Sequence, residues 1–331
     1  MRHPTIYDVA EAAGVSIGTV SKTLNHPSTV SAATRAKVLD AVDRLGFVPK
    51  EEATSRARRG VGRIGVMAPF SSYPSFSERL NGVLEVARGR PAEVVVYDFD
   101  SPAASATLLE SLPTTRSLDG LIIMALPLAP SVADRLRASR LPVVLVEMTA
   151  DGFSSVEIDD AGGGRLAAGR LLATGRRRFA FLGERQRLPD MPSPSRRRLE
   201  AFRAALADRG IPLGDGAVVL APNDADGARA AADSLFSGGD PPDAVFAHSD
   251  ELAAAALAAA RARGLRVPDD VGIVGFDDSR FAAALDLTTI RQPLAESGAW
   301  AADRLVQQLA DPAGSVAHIR LPVTLTVRGS A

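Results

Sequence analysis

From Arg63 to Phe276 short apolar runs alternate with segments of helical period, and this alternation limits the fold more than any other feature of the chain. The first set has apolar runs at 64–69, 93–99, 120–126 and 142–147, with helical patterns at 75–88, 103–111 and 131–139. The second set, after residue 160, has helices at 163–173, 195–209, 225–236 and 251–263 and strands at 179–183, 217–221, 244–247 and 271–276. Strands apolar at nearly every position are buried on both faces, as in parallel sheets covered by helices. Two such sets predict two doubly wound lobes, with ligands received beyond the carboxyl ends of the strands.

The first fifty residues follow a different rule. Thr5 and Asp8 are spaced as a capping box, and Ile6, Val9, Ala10 and Ala13 recur at helical intervals behind them. Gly14 supplies a cheap positive φ to end that helix, and Ser16 caps a second one anchored by Val15, Val20 and Leu24. Ile17, Gly18, Ser21 and Lys22 then point away from the packed side. A short helix presenting small polar and basic side chains suits a DNA major groove, although a helical hairpin inside a core has the same pattern. Ser31 opens a third helix to about Leu45, with Val38, Leu39, Val42 and Leu45 inward; Gly46 ends it and Pro49 marks a boundary.

Charge separates the same two parts. Residues 1–60 hold nine Lys or Arg against six acids, while the chain as a whole is −1. A basic head on an acidic body fits a protein that touches nucleic acid at one end. Cysteine is absent, which excludes disulfides and Cys-based zinc sites, and histidines 3, 26, 248 and 318 lack metal-ligand spacing. No catalytic set, metal or cofactor is expected. With no leader-like run after Met1 and no stretch of ~18 apolar residues, the expected location is the cytoplasm, in association with the nucleoid.

Read residue by residue, the opening Thr-Ile-Tyr-Asp-Val-Ala-Glu-Ala-Ala-Gly-Val-Ser resembles the DNA-binding head of the LacI/GalR family of bacterial transcriptional regulators. Thr19-Val20-Ser21, Asn25, Val30-Ser31, Thr34-Arg35 and Leu45-Gly46-Phe47-x-Pro49 extend the match. The body resembles that family's effector-binding core, which is like a type I periplasmic sugar-binding protein. The matching pieces are Arg198-Leu-Glu-Ala-Phe202, Ala247-His-Ser-Asp250, Val274-Gly-Phe-Asp-Asp278, Leu287-Thr-Thr-Ile-Arg-Gln-Pro293 and Leu321-Pro-x-x-Leu325-x-Val327-Arg328.

The resemblance implies a helix-turn-helix DNA-binding domain over 1–49, a hinge over 50–62 and an effector-binding and dimerisation body over 63–331. Lobe one would take about 63–158 and 292–320, lobe two about 159–291, and a closing segment about 321–331. The implied function is a homodimeric repressor that binds a pseudo-palindromic operator and answers to a sugar or sugar derivative. A nucleobase-type corepressor is the alternative; a solute-binding receptor or an enzyme fits less well. The DNA-contacting set is Thr5, Tyr7, Ser16, Ile17, Gly18, Thr19, Ser21, Lys22, Asn25, Ser31 and Arg56. Arg56 stands where the family's hinge leucine wedges into the minor groove, and Glu51 and Glu52 add negative charge nearby.

A sugar site needs planar charged groups that pair with adjacent hydroxyls, together with an apolar wall. Asp277 follows an apolar strand, Asp250 follows another, and Arg198 lies near the start of a helix after a strand, so all three fall at carboxyl edges. Across the expected cleft, Tyr73 and Phe76 follow the first body strand. In the family the residues matching Asp277 and Arg198 hold the effector, and the position of Ser249 is usually an asparagine that does the same. Asp160 completes the effector set. Two other patterns mislead: Gly14-Val-Ser-Ile-Gly18 spells a hydrolase elbow without its preceding strand, and Gly60-Val-Gly-Arg-Ile-Gly65 spells a dinucleotide fingerprint that runs into a strand.

Overall fold

Capping signals shape the first helices in the computed structural model, which describes residues 4–47, 62–71, 73–90, 92–99, 102–115, 117–185 and 193–331. Helix α1 (Ile6–Ala13) starts on a complete Thr5–Asp8 capping box and stops at Gly14, whose φ is 65°. Helix α2 (Ile17–Asn25) is capped by Ser16, and α3 (Ala32–Leu45) by Ser31, with Gly46 left-handed at its end. Val9, Ala10, Val20, Val38, Ala41, Val42 and Phe47 form a core of their own beneath these helices, whereas Leu45, expected inward, is exposed on the last turn of α3.

The chain divides into two compact units, Met1–Glu157 with Ala295–Ile319, and Ile158–Leu294 with Arg320–Ala331. The first unit holds the head and the elements β1 (Gly62–Ala68), α4 (Pro74–Ala87), β2 (Ala92–Asp98), α5 (Pro102–Thr115), β3 (Gly120–Met124), α6 (Pro130–Ala138), β4 (Val143–Val146) and β5 (Ser154–Ile158). The second holds α7 (Asp160–Ala173), β6 (Phe179–Glu184), α8 (Pro194–Ala207), β7 (Val218–Ala221), α9 (Ala225–Leu235), β8 (Ala244–Ala247), α10 (Asp250–Ala262), β9 (Gly272–Asp277) and β10 (Thr288–Arg291). Helix α11 (Leu294–Ala310) then returns to the first unit, β11 (His318–Leu321) spans the last boundary, and β12 (Thr324–Thr326) closes the second.

One sheet runs β11-β5-β4-β3-β1-β2 and the other β12-β10-β9-β8-β6-β7. The doubly wound order expected from the alternation is present. Strand β12 departs from it, pairing antiparallel with β10 at the sheet edge. In the second sheet, Phe179, Phe181, Ala244 and Phe246 face one core, while Ala180, Leu182, Val245 and Ala247 face the other. Period-2 alternation with both sets buried is the condition of a covered parallel sheet.

Several elements escape the sequence pattern. Strand β5 contains Ser154 and Ser155, both buried. It is tolerated because the Ser154 hydroxyl bonds Arg304 Nε, Gln308 Nε2 and the Ala317 amide, each at 3.1 Å. Helix α11 carries Gly298 in its interior, where helix propensity is poorest. The gain lies in packing: a Cβ on Gly298 would overlap the Arg79 carbonyl, and one on Gly82 the Ala295 carbonyl. Among the described residues no helix is long and apolar enough to cross a membrane.

Candidate DNA and ligand sites

The head packs its apolar positions inward and leaves a polar face outward. Tyr7 is 67% exposed and Ile17 is 40% exposed, large values for apolar side chains in a domain with its own core. Ser16, Gly18, Lys22 and Ser31 are also exposed, while Thr5, Thr19 and Ser21 are half-buried. Ser16 Oγ accepts from the Thr19 amide at 3.2 Å and lies 2.9 Å from the Thr19 hydroxyl. Ser31 Oγ accepts from the Thr34 amide at 3.3 Å, and Thr5 is bound into the capping box through Asp8. The small polar residues thus organise helix N-termini, where amide groups and the helix dipole favour phosphate. Asn25 ends α2, and Arg56 lies outside the described residues.

In the second unit, three strands deliver polar residues at their carboxyl ends: Glu184 from β6, His248 after β8 and Asp277 from β9. Arg198, 4% exposed, lies on Phe276 with its guanidinium carbon 3.5 Å from the ring centroid. Its Nε donates to Asp160 Oδ1 at 2.8 Å, and its Nη1 donates to the His248 carbonyl at 2.7 Å. Asp160, 1% exposed at the start of α7, also takes Arg197 Nε and Nη2 at 2.9 and 2.6 Å. One carboxylate therefore fixes two guanidinium groups, the pairing that a buried charge requires.

Asp277 accepts from Gln292 Nε2 through Oδ1. These bonds engage Asp277 Oδ1 and Arg198 Nε and Nη1, and leave Asp277 Oδ2 and Arg198 Nη2 outside them. Burial pushes the Asp277 carboxyl up to about 8, with Asp250 and Glu251 adding to the shift and Arg198 and Gln292 opposing it. Its φ of 119° and the 57° of Asp278 put two consecutive non-glycine residues in the left-handed region. Such strain persists only where the surroundings hold it, and it gathers at functional sites. The Asp278 carboxylate, held by Arg328 Nη2 at 2.7 Å, anchors the turn.

The other expected ligand residues have protein partners. Asp250 accepts from the Ser279 amide at 2.7 Å and from Thr289 Oγ1 at 2.6 Å, using both oxygens, and burial raises it to about 6. Ser249 caps α10 through the Leu252 amide. In the first unit, Tyr73 precedes α4 and meets Phe76 edge-on at 6.0 Å. Beneath Phe76 lies Arg79, 3% exposed and ion-paired with Glu147. Sequence reasoning missed Arg79, Glu147, Arg197, Glu184 and Gln292. Glu147 and Glu184 do carry a signal, a carboxylate directly ending an apolar run. Among the described residues no group of His, Asp or Glu is placed to hold a metal ion.

Residues 5–50 match the family described as bacterial regulatory proteins, lacI family, and residues 168–331 match a periplasmic binding protein-like domain. The ribose operon repressor of Escherichia coli (strain K12) is 32% identical, with 99% of each chain covered. A solved complex of the transcriptional regulator CelR with cellobiose has a TM-score of 0.71 at 30% identity, covering 99% of this chain and 100% of that one. The lac repressor dimer bound to operator and an anti-inducer has a TM-score of 0.69 at 29% identity, with 99% of each chain covered.

Proposed function

Since the chain belongs to the LacI family of bacterial regulatory proteins, we propose that it is a homodimeric repressor of carbohydrate-related genes, acting in the cytoplasm at the nucleoid. Two heads on one two-fold axis bind a pseudo-palindromic operator, with Ile17, Gly18 and Lys22 at base edges and the N-termini of α1, α2 and α3 at phosphates. Binding of a sugar to the second unit shifts the operator affinity by linkage.

The observation that carries the sugar reading is the pair of open groups at the carboxyl edge of the second sheet. Arg198 Nη2 offers two donors, the Asp277 carboxyl, protonated below about 8, offers Oδ2 as a hydroxyl that gives or takes a hydrogen bond, and Phe276 holds the guanidinium flat. A donor fork beside a carboxyl that can both give and take a hydrogen bond matches the acceptor and donor capacity of neighbouring hydroxyls. The similarity to a ribose operon repressor and to a cellobiose-bound regulator supports the same class.

A thermal-shift screen of the full chain against sugars and nucleobases tests this reading. A ligand at 100 times its Kd adds about 2.7 kcal/mol of stability. A sugar hit that also changes retention of operator DNA in a gel shift is the expected result. Stabilisation by nucleobases and by no sugar would overturn the sugar assignment and leave the repressor.

A further inference from the structure

His248 belongs to the network around Arg198, yet nothing so far gives it a task. It places two acceptors against one nitrogen: its carbonyl lies 2.7 Å from Arg198 Nη1 and its ring Nδ1 3.2 Å from the same atom. A guanidinium cannot accept, so Nδ1 must receive the hydrogen, and the ring proton resides on Nε2. That nitrogen faces Glu184 Oε2 at 3.5 Å. With Nε bound to Asp160 and both N–H groups of Nη1 taken by His248, the rotation of the guanidinium is fully determined. Nη2 alone is left to a ligand.

We propose that His248 is a positioning residue of the ligand site: as a neutral acceptor it locks the Arg198 guanidinium in the orientation that presents Nη2, and protonation of its ring releases the lock and weakens ligand binding in acid. This rests on the assignment of Arg198 as a ligand contact. A protonated imidazole has two donors and no acceptor, so Nδ1–H would confront Nη1–H and a second cation would stand beside the first. The charged groups facing the ring are Arg198 on α8, Glu184 on β6 and Asp160 on α7. Burial, and then Arg198, hold the ring below its usual 6.5, against the pull of Glu184 and Asp160. The ring is therefore neutral at pH 7, and the lock fails on the acid side of 6.5.

Two variants of the full chain separate positioning from mere packing. His248→Asn keeps a side-chain acceptor for Nη1 and cannot titrate; His248→Leu has no acceptor. In ligand-free protein, nitrogen NMR of the histidine rings should show His248 as the Nε2–H tautomer at pH 7.5. The Arg198 Nε–H resonance should move with the His248 titration, and that movement should vanish in His248→Asn. An Nδ1–H tautomer, or an Arg198 signal indifferent to the titration, would overturn the proposal. Calorimetry with D-ribose, D-glucose, D-galactose and cellobiose, from pH 8 down to the pH at which the NMR titration shows the His248 ring protonated, gives the second readout. The wild type should lose about tenfold more affinity on acidification than His248→Asn, the scale of one charge-assisted hydrogen bond. His248→Leu should bind weakly at every pH. Asp277 is present in all three proteins and its titration lies on the alkaline side, so equal acid-side profiles for wild type and His248→Asn would also overturn it. Failure of every sugar at every pH would instead count against the ligand assignment of Arg198, while the NMR readout would still decide the task of His248.

Discussion

Asp277 shows how the ligand site sets binding against stability. Its carboxyl, ordinarily at 3.8, is raised to about 8 by burial first and by Asp250 second. Between those two values the folded chain holds a proton that the unfolded chain has released. Folding therefore loses stability as pH rises from about 4 to about 8. Asp277→Asn removes this cost: the variant should be more stable than wild type by about 1 kcal/mol or more at pH 8, with the gap narrowing toward pH 5. Denaturant melts at the two pH values measure it, and a gap independent of pH would mean that Asp277 titrates as an ordinary carboxylate. Asp277→Ala, which removes the carboxyl altogether, should abolish the sugar response while operator binding in a gel shift stays near normal. In the head, Lys22 is the one long donor among the exposed residues of α2. Lys22→Ala should cost about 1–3 kcal/mol on the cognate operator and relax preference at one base pair per half-site. A uniform loss on all DNA sequences would make it a phosphate contact only.

At the scale of elements, glycines mark where backbone geometry decides packing. Gly298 of α11 and Gly82 of α4 each meet the other helix's backbone carbonyl, so a methyl group at either position forces the helices apart. Gly298→Ala should destabilise the chain by about 1–3 kcal/mol through overpacking. Gly169, exposed on α7 with open space at its Cβ position, is the control: Gly169→Ala should gain about 0.5–1 kcal/mol from helix propensity alone. Thermal melts of the two variants should therefore move in opposite directions. The same contrast explains what could be read from the sequence. The caps at Thr5, Ser16 and Ser31 and the apolar strands of both sheets are local signals, and they were legible. Strand β5 and helix α11 were not, because polar Ser154 and interior Gly298 become favourable only through partners more than a hundred residues away. The ligand site divides likewise: Asp277, Arg198 and Asp160 follow from position after a strand or from family likeness. Arg197, Gln292, Arg79 and Glu147 acquire their tasks only once distant segments meet.

At the scale of the molecule, charge assigns the work. The basic excess lies in residues 1–60 of a chain whose net charge is −1. Operator affinity should therefore fall steeply with salt, and sugar affinity should change little over the same range. Fluorescence anisotropy of labelled operator and calorimetry of the sugar, each at 50 and 200 mM salt, compare the two. Matching salt slopes would mean that the body also meets the phosphates.

Strand β12 supplies the edge of the second sheet from residues 324–326, yet the head has a self-contained core that ends at Phe47. On the ribosome these two events are far apart. At bacterial synthesis rates the three head helices emerge and fold roughly half a minute before the last edge strand exists. For that interval a nascent chain owns a surface for the chromosome but no finished receptor for its signal, and the exposed flank of β10 awaits its cover. A message broken after about residue 290 would make that condition permanent. The product would be a head tethered to an aggregation-prone half-lobe, deaf to sugar.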